Sequence, residues 1–267
     1  SPGCHVLDVG ANIGACSVML ALLGYQVSAF EPLPSNSALL EASLRLNGIE
    51  PTELRDVAAR RGEGGGDREQ RKPQLAGVGA MAAVTAAVFR GALGEKAEDG
   101  VIMEGRGNAG MSVVVPSSHV RGNCDNKTFF CRRIRPVRIT RLDDLWGHDK
   151  GPICLAKLDV EGNELRVLRG ALQLLRSKSI GVLHIEWWPP HLTALGEEPS
   201  ALLWLLHALH YEIFAPSTWF MSSEQSAEVG RRWVRVVPEQ FPSLLKNWGD
   251  IVARAADVPW AKDTIAT

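Results

Sequence analysis

The apolar run Val6 to Val9 stops at Asp8-Val9-Gly10-Ala11-Asn12-Ile13-Gly14, and a stretch rich in Ala and Leu follows it as far as Gly24. Two glycines four residues apart, between an extended run and a helical one, force a sharp backbone turn into a helix start whose first N–H groups face outward. Strand, turn and buried helix make half of a crossover unit, and the other half comes at once. Gln26 to Phe30 reads as a second strand. Pro34-Ser35 then opens a helix carrying Leu39, Leu40, Leu44 and Leu46, which Asn47-Gly48 ends. This rhythm predicts an α/β fold: a doubly wound, mostly parallel sheet with flanking helices.

The later chain repeats the pattern. Ile153 to Val160 reads as a strand, Asn163 to Leu175 as one helix, Ile180 to Trp187 as a strand and Ser200 to Leu209 as a helix. Tyr211 to Ala215 and Trp233 to Val237 are expected as late strands, antiparallel to the rest. Between the halves, Arg60 to Gln74 is rich in Gly, Arg and Glu with almost no apolar residue, which predicts a flexible surface insertion. Val84 to Leu93 and Thr128 to Ile139 read as strands, and Gly100 to Val115 as a glycine-interrupted hairpin or loop. All 267 residues are read as a single domain, 1–267, with a flexible insertion at about 60–81 and a less assignable extension at about 238–267.

Charge and cysteine usage narrow the function classes. The 29 basic and 30 acidic side chains nearly cancel, which argues against bulk attraction to nucleic acid or an anionic membrane. The densest apolar run, Val18 to Leu23, is far below the roughly 18–20 residues that span a bilayer. Cys4, Cys16, Cys124, Cys131 and Cys154 are scattered without a CxxC pair. They are expected as reduced thiols in a cytoplasmic protein, with Cys124 and Cys131 the one pair near enough to bridge a loop. The chain enters its first strand after Ser-Pro-Gly, with no secretory pattern, and is read as a trimmed or truncated domain.

Three segments carry chemistry. The glycine turn has Asn12 where a dinucleotide fingerprint places its middle glycine. It is similar to the acidic, glycine-rich loop of class I S-adenosylmethionine-dependent methyltransferases, with Asp8 to help neutralise the ammonium of the ligand's methionine end. Phe30-Glu31-Pro32 closes the second strand, where an acid at the carboxyl edge can accept both hydroxyls of a ribose. Lys157-Leu158-Asp159-Val160-Glu161-Gly162-Asn163-Glu164 closes the strand after the insertion. Asp159 and Glu161 are two apart and share a side unless the strand bends, while Glu164 reads as a first-turn helix charge.

Together with Ala92-Leu93-Gly94, Leu142-Asp143-Asp144-Leu145, Val167-Leu168-Arg169-Gly170-Ala171 and Ile185-Glu186, these segments resemble the successive blocks of the FkbM family of methyltransferases over roughly residues 4 to 190. The resemblance implies methyl transfer from S-adenosyl-L-methionine, most often to a hydroxyl oxygen of a small or sugar-like molecule. It places Gly94-Glu95 at the end of the third strand near the adenine, and Asp159 and Glu161 beside the methyl group and acceptor. The implied cofactor residues are Asp8, Gly10, Ala11, Asn12, Gly14, Glu31, Pro32, Gly94 and Glu95, and the implied catalytic ones Asp159 and Glu161. Against the family pattern, the chain is expected to carry an insertion before the third strand and to lack the segment that members usually carry ahead of the first.

Within that reading, positioning assisted by a carboxylate base comes first, and a divalent cation held by Asp159, Glu161 and Glu186 second. An NAD-linked oxidoreductase, disfavoured by Asn12, and a non-catalytic cofactor-binding module are the alternatives. His184 is read as a buried structural histidine. Trp187-Trp188-Pro189-Pro190-His191 reads equally as a substrate wall or as core. Arg132, Arg133, Arg135, Arg138 and Arg141 are read as an exposed strand whose charge deters edge pairing.

Overall fold

The computed structural model describes residues 4–54, 85–104, 112–119, 134–146, 150–220 and 232–258. The insertion expected at 60–81, the pair Cys124 and Cys131, and Arg132 and Arg133 lie outside them.

The first half folds as β1 (His5–Val9), α1 (Ala15–Leu22), β2 (Gln26–Phe30), α2 (Pro34–Leu46), β3 (Pro51–Glu53) and β4 (Ala86–Phe89). A smaller group follows: β5 (Ala92–Leu93), β6 (Glu98–Met103), β7 (Val113–Pro116), β8 (Ile134–Thr140) and α3 (Leu142–Leu145). The rest comprises β9 (Ile153–Leu158), α4 (Glu164–Arg169), α5 (Leu172–Arg176), β10 (Ile180–Trp187), α6 (Pro189–Ala194), α7 (Pro199–Ala208), β11 (Tyr211–Pro216), β12 (Trp233–Val236), α8 (Phe241–Leu244) and β13 (Gly249–Ala255).

The main sheet runs β12-β11-β13-β10-β9-β1-β2-β4-β3, and β5-β8-β6-β7 form a second sheet. From β10 to β3 all neighbours are parallel, whereas β13, β11 and β12 pair antiparallel in turn, so the large sheet is mixed. Strand alternation explains why the central strands look apolar throughout. Leu7, Val9, Phe30, Leu158, Leu183 and Ile185 pack on one side against Leu165, Leu168, Leu175, Leu202 and Leu206. On the other side Val27, Ala29 and Val88 meet Ala21, Leu40 and Leu44 from α1 and α2. Each fully buried leucine contributes about 1.5–3 kcal/mol, so this two-sided burial is the main force holding the strand ends in place.

Several expectations change. The helix expected over Asn163 to Leu175 is two helices, because a Cβ on Gly170 would lie 2.0 Å from the Gly94 carbonyl oxygen and the chain turns there. Asp143 accepts the N–H groups of Gln173 and Leu174, giving the second helix its own cap. The strand expected over Val84 to Leu93 is split into β4 and β5 around Gly91, where a Cβ would press on Phe89 at 2.7 Å. The extension at 238–267 contains β13, which inserts between β10 and β11 and buries Ile251, Ala253 and Ala255.

β8 is no edge strand: it pairs along its length with β6 and also, at Ile139 and Thr140, with β5. Its arginines are matched locally, Arg135 to Glu104 at 2.5 Å and Arg138 to Asp99 at 3.2 Å, while Arg141 reaches Asp143 at 3.1 Å. The cysteine expectation is also corrected. Cys4 and Cys154 form a disulfide across 150 residues of sequence, their Cα atoms 5.9 Å apart, because β1 and β9 are neighbours; Cys16 is free. Among the described residues no helix is long and apolar enough to cross a membrane.

Candidate active site

The carboxyl ends of β1, β2, β4 and β9 open onto a cleft. Gly10, Asn12, Glu31, Pro32, Asp159 and Glu161 line it, with Gly91, Ala92 and Leu93 at one side and Ser112 and Val114 of the smaller sheet as its outer wall. Open α/β sheets place ligands at this edge.

The glycine turn is drawn tight from within. Gly10 has φ +81°, and a Cβ there would lie 1.8 Å from the carbonyl oxygen of Asp159, so only glycine lets the two strand ends meet. The N–H groups of Gly10 and Ala11 both donate to the Phe30 carbonyl, at 3.0 and 3.1 Å, and that of Gly14 to the Ala11 carbonyl at 2.9 Å. The Asn12 N–H donates to Glu31 Oε2 at 2.9 Å. Four amides expected to face a ligand are therefore used inside the turn. Asn12 itself has φ +51°, and its side-chain oxygen accepts from Asn36 at 3.1 Å.

Glu31 is buried, and its other oxygen accepts the Leu33 N–H at 2.8 Å. This acid thus both lines the cleft and braces the backbone just ahead of α2. Burial pushes its pKa up to about 7 against the pull of those two amides.

Asp8, Ala11 and Gly14 do not line the cleft. Asp8 is fully buried beneath it and accepts the Ser17 hydroxyl at 2.6 Å, while its other oxygen lies 3.5 Å from Lys157 Nζ. Ala11 is buried in the core and Gly14 packs on Leu40. Gly94 and Glu95 are likewise elsewhere, in an adjoining cleft with Arg166 and Glu197 that shares Leu93, Val114 and Asn163 with the first. The split of the expected third strand puts Gly91 to Leu93 at the glycine turn's cleft in their place. Glu95 instead faces Arg169 at 3.5 Å.

Across the cleft the acids crowd. β9 ends at Leu158, and Glu161 takes φ +55°, so the bend rather than strand alternation sets its direction. Carboxylate oxygens of Asp159, Glu161 and Glu186 lie within 4.8 Å of one another, near enough to share a proton or a cation. Burial first, then Asp159, Glu161 and Glu164, raise Glu186 to about 8; burial and Asp159 raise Glu161 to about 7. Glu164 is buried within the turn, accepting the N–H groups of Val160 at 3.0 Å and Gly162 at 3.2 Å. It clamps the loop, which is more than the first-turn charge expected of it.

Lys157 is the cation that sequence reasoning passed over, although it stood inside the quoted motif. Its Nζ lies 3.1 Å from Asp159 and donates to the Gly10 carbonyl at 3.0 Å, and Asp8 and Asp159 together outweigh burial and raise its pKa. The register Asp8↔Lys157 places the two side by side on one face, a pairing that appears only once the strand order is known. Trp187 belongs to the core, its indole N–H donating to the Leu244 carbonyl at 2.8 Å, whereas Trp188 is at the surface stacked on His191. His184 sits between Lys157 and Val252 in the sheet, half-buried.

No curated protein and no solved structure matches the sequence. The family model for the Methyltransferase FkbM domain matches residues 8–213, a stretch containing the glycine turn, Glu31, Lys157 and all three crowded acids. The chain thus belongs to the FkbM methyltransferase domain family.

Proposed function

We propose that this protein is an S-adenosyl-L-methionine-dependent methyltransferase of the Rossmann-like, doubly wound class I type, one domain over the whole chain, acting on a hydroxyl oxygen of a small or sugar-like acceptor. The observation that carries this reading is the balance of donors and acids in the cleft. The amides of Gly10, Ala11, Asn12 and Gly14 are bonded internally, so the turn offers no cradle of those N–H groups to a pyrophosphate. Glu31, Asp159 and Glu161 line the cleft instead, with Glu186 beside the last two and Lys157 as the nearby counter-charge. That set fits a ligand bearing positive charge and ribose hydroxyls, and it fits a dinucleotide poorly.

In this reading Gly10, Asn12, Glu31 and Pro32 hold the nucleoside, with Asp8 and Lys157 fixing the floor beneath it. The bound cofactor supplies an electrophilic methyl carbon on a sulfonium. Glu31 keeps its carboxylate oriented through its two backbone bonds and offers its remaining lone pairs to the ribose. Asp159 and Glu161 face the acceptor side, and Glu161, poised near 7, is suited to take a hydroxyl proton at neutral pH. Glu186, which keeps its own proton to about 8, stays neutral beside it and leaves the accepted proton on Glu161. The wall formed by Ser112 and Val114 excludes water from one flank and helps orient the acceptor.

Equilibrium titration with S-adenosyl-L-methionine and with NAD, followed by transfer of label from methyl-tritiated cofactor to a panel of alcohols and sugars, tests the reading. Micromolar binding of the sulfonium nucleoside, no NAD binding and labelled ether products are expected. NAD binding, or no affinity for the sulfonium nucleoside, would overturn it.

A further inference from the structure

Glu161 occupies backbone space that non-glycine residues seldom use, and such a conformation persists only where its surroundings hold it. The holding element here is α6, which follows directly on β10. A Cβ on Gly162 would come within 2.8 Å of the His191 carbonyl group, so the loop after β9 rests directly on the α6 backbone. From that helix the His191 ring reaches back, its Nδ1 3.3 Å from Glu161 Oε2. The ring is stacked on Trp188 with centroids 4.0 Å apart and planes 21° from parallel, which fixes its plane. Burial lowers the His191 pKa, which favours the neutral imidazole.

We propose that His191 is a positioning residue for Glu161: its Nδ1–H donates to the Glu161 carboxylate and turns the other carboxylate oxygen toward the acceptor hydroxyl. The inference rests on the methyltransferase reading above, in which Glu161 takes that proton. Catalytic contacts of this kind often lie off their best alignment in a ligand-free protein and tighten in the working complex. Glu161 is the group that touches the acceptor, and His191 acts through it. Trp188 has a part too, since without the stack the imidazole is free to swing away.

Three variants and one spectrum decide the matter. His191→Leu should lower kcat about tenfold while leaving cofactor affinity within about twofold of the parent, the pattern of a lost transition-state alignment. His191→Asn, whose amide nitrogen falls where Nδ1 was, should recover most of the rate. In a Glu161→Gln background, His191→Leu should add no further loss, because its route of action is already gone. Unchanged turnover in His191→Leu, or losses that multiply in the double variant, would overturn the proposal. If the parent protein transfers no methyl group to any acceptor, it is the functional reading that fails, and nitrogen NMR of labelled histidine still tests the contact. An Nδ1–H signal that shifts in Glu161→Gln supports it, and an Nε2–H tautomer indifferent to that change refutes it.

Discussion

The two sides of the cleft are built on opposite principles. On the glycine-turn side, most polar groups are hydrogen-bonded within the protein: Glu31 takes two backbone amides, Asn12 takes Asn36, and Asp8 takes the Ser17 hydroxyl on one oxygen while the other has only Lys157 at 3.5 Å. On the other side three carboxylates face one another, and two of them keep their protons to about 7 and about 8. Satisfied groups set geometry, and crowded ones store a demand for positive charge or a proton. The contrast suggests a division of labour in which one flank fixes where the nucleoside lies and the other is tuned to act.

The harshest way to break this comparison is to separate the flanks. Gly10→Ala puts a methyl group into the Asp159 carbonyl at a positive φ, and should cost about 3 kcal/mol or more of stability together with cofactor binding. A thermal melt and a cofactor titration measure both, and a stable variant that still binds would show that the strand ends can part freely.

A finer test damages one flank at a time. Asp159→Asn should leave cofactor affinity nearly intact and lower turnover at least about tenfold, whereas Glu31→Gln should weaken affinity about tenfold with turnover at saturation little changed. Matching kinetic signatures from the two would dissolve the division of labour.

The smallest effect concerns pH. Glu161 and Glu186 hold their protons to about 7 and about 8 when folded, but lose them near 4.5 when unfolded. The folded chain then binds more protons than the unfolded one between those limits, so this contribution to stability is whole below about pH 4.5 and fades as pH climbs through about 7 to 8. Melting temperatures at about pH 5.5 and about pH 8.5 should differ in that direction, and a Glu161→Gln, Glu186→Gln double variant should shrink the difference, leaving the part that Glu31 and Glu164 contribute by the same route.

What the sequence made legible follows from how local the cause is. The turn at Gly10, the end of β2 at Phe30 just before Glu31, and the helix start at Pro34 are written in consecutive residues, and each lies where the pattern put it. Gly94 and Glu95 lie outside the main cleft, where Gly91 to Leu93 line it instead, because the bend at Gly91 depends on the ring of Phe89, a contact that spacing does not reveal. Lys157 and the Cys4–Cys154 bridge were missed for the same reason: both need β9 to lie against β1, a neighbour relation spanning about 150 residues of chain. β13 does alternate, with Ile251, Ala253 and Ala255 buried, but small alanines give a weak signal and nothing local says that it slots between β10 and β11.

The smaller sheet has a consequence of its own. Its described strands all belong to the single connection between β4 and β9, and that one stretch supplies Ser112 and Val114 to the cleft. Under the proposed methyltransferase reading, acceptor choice would be a cassette, changed by exchanging one continuous segment while the frame beneath goes on gripping the same nucleoside.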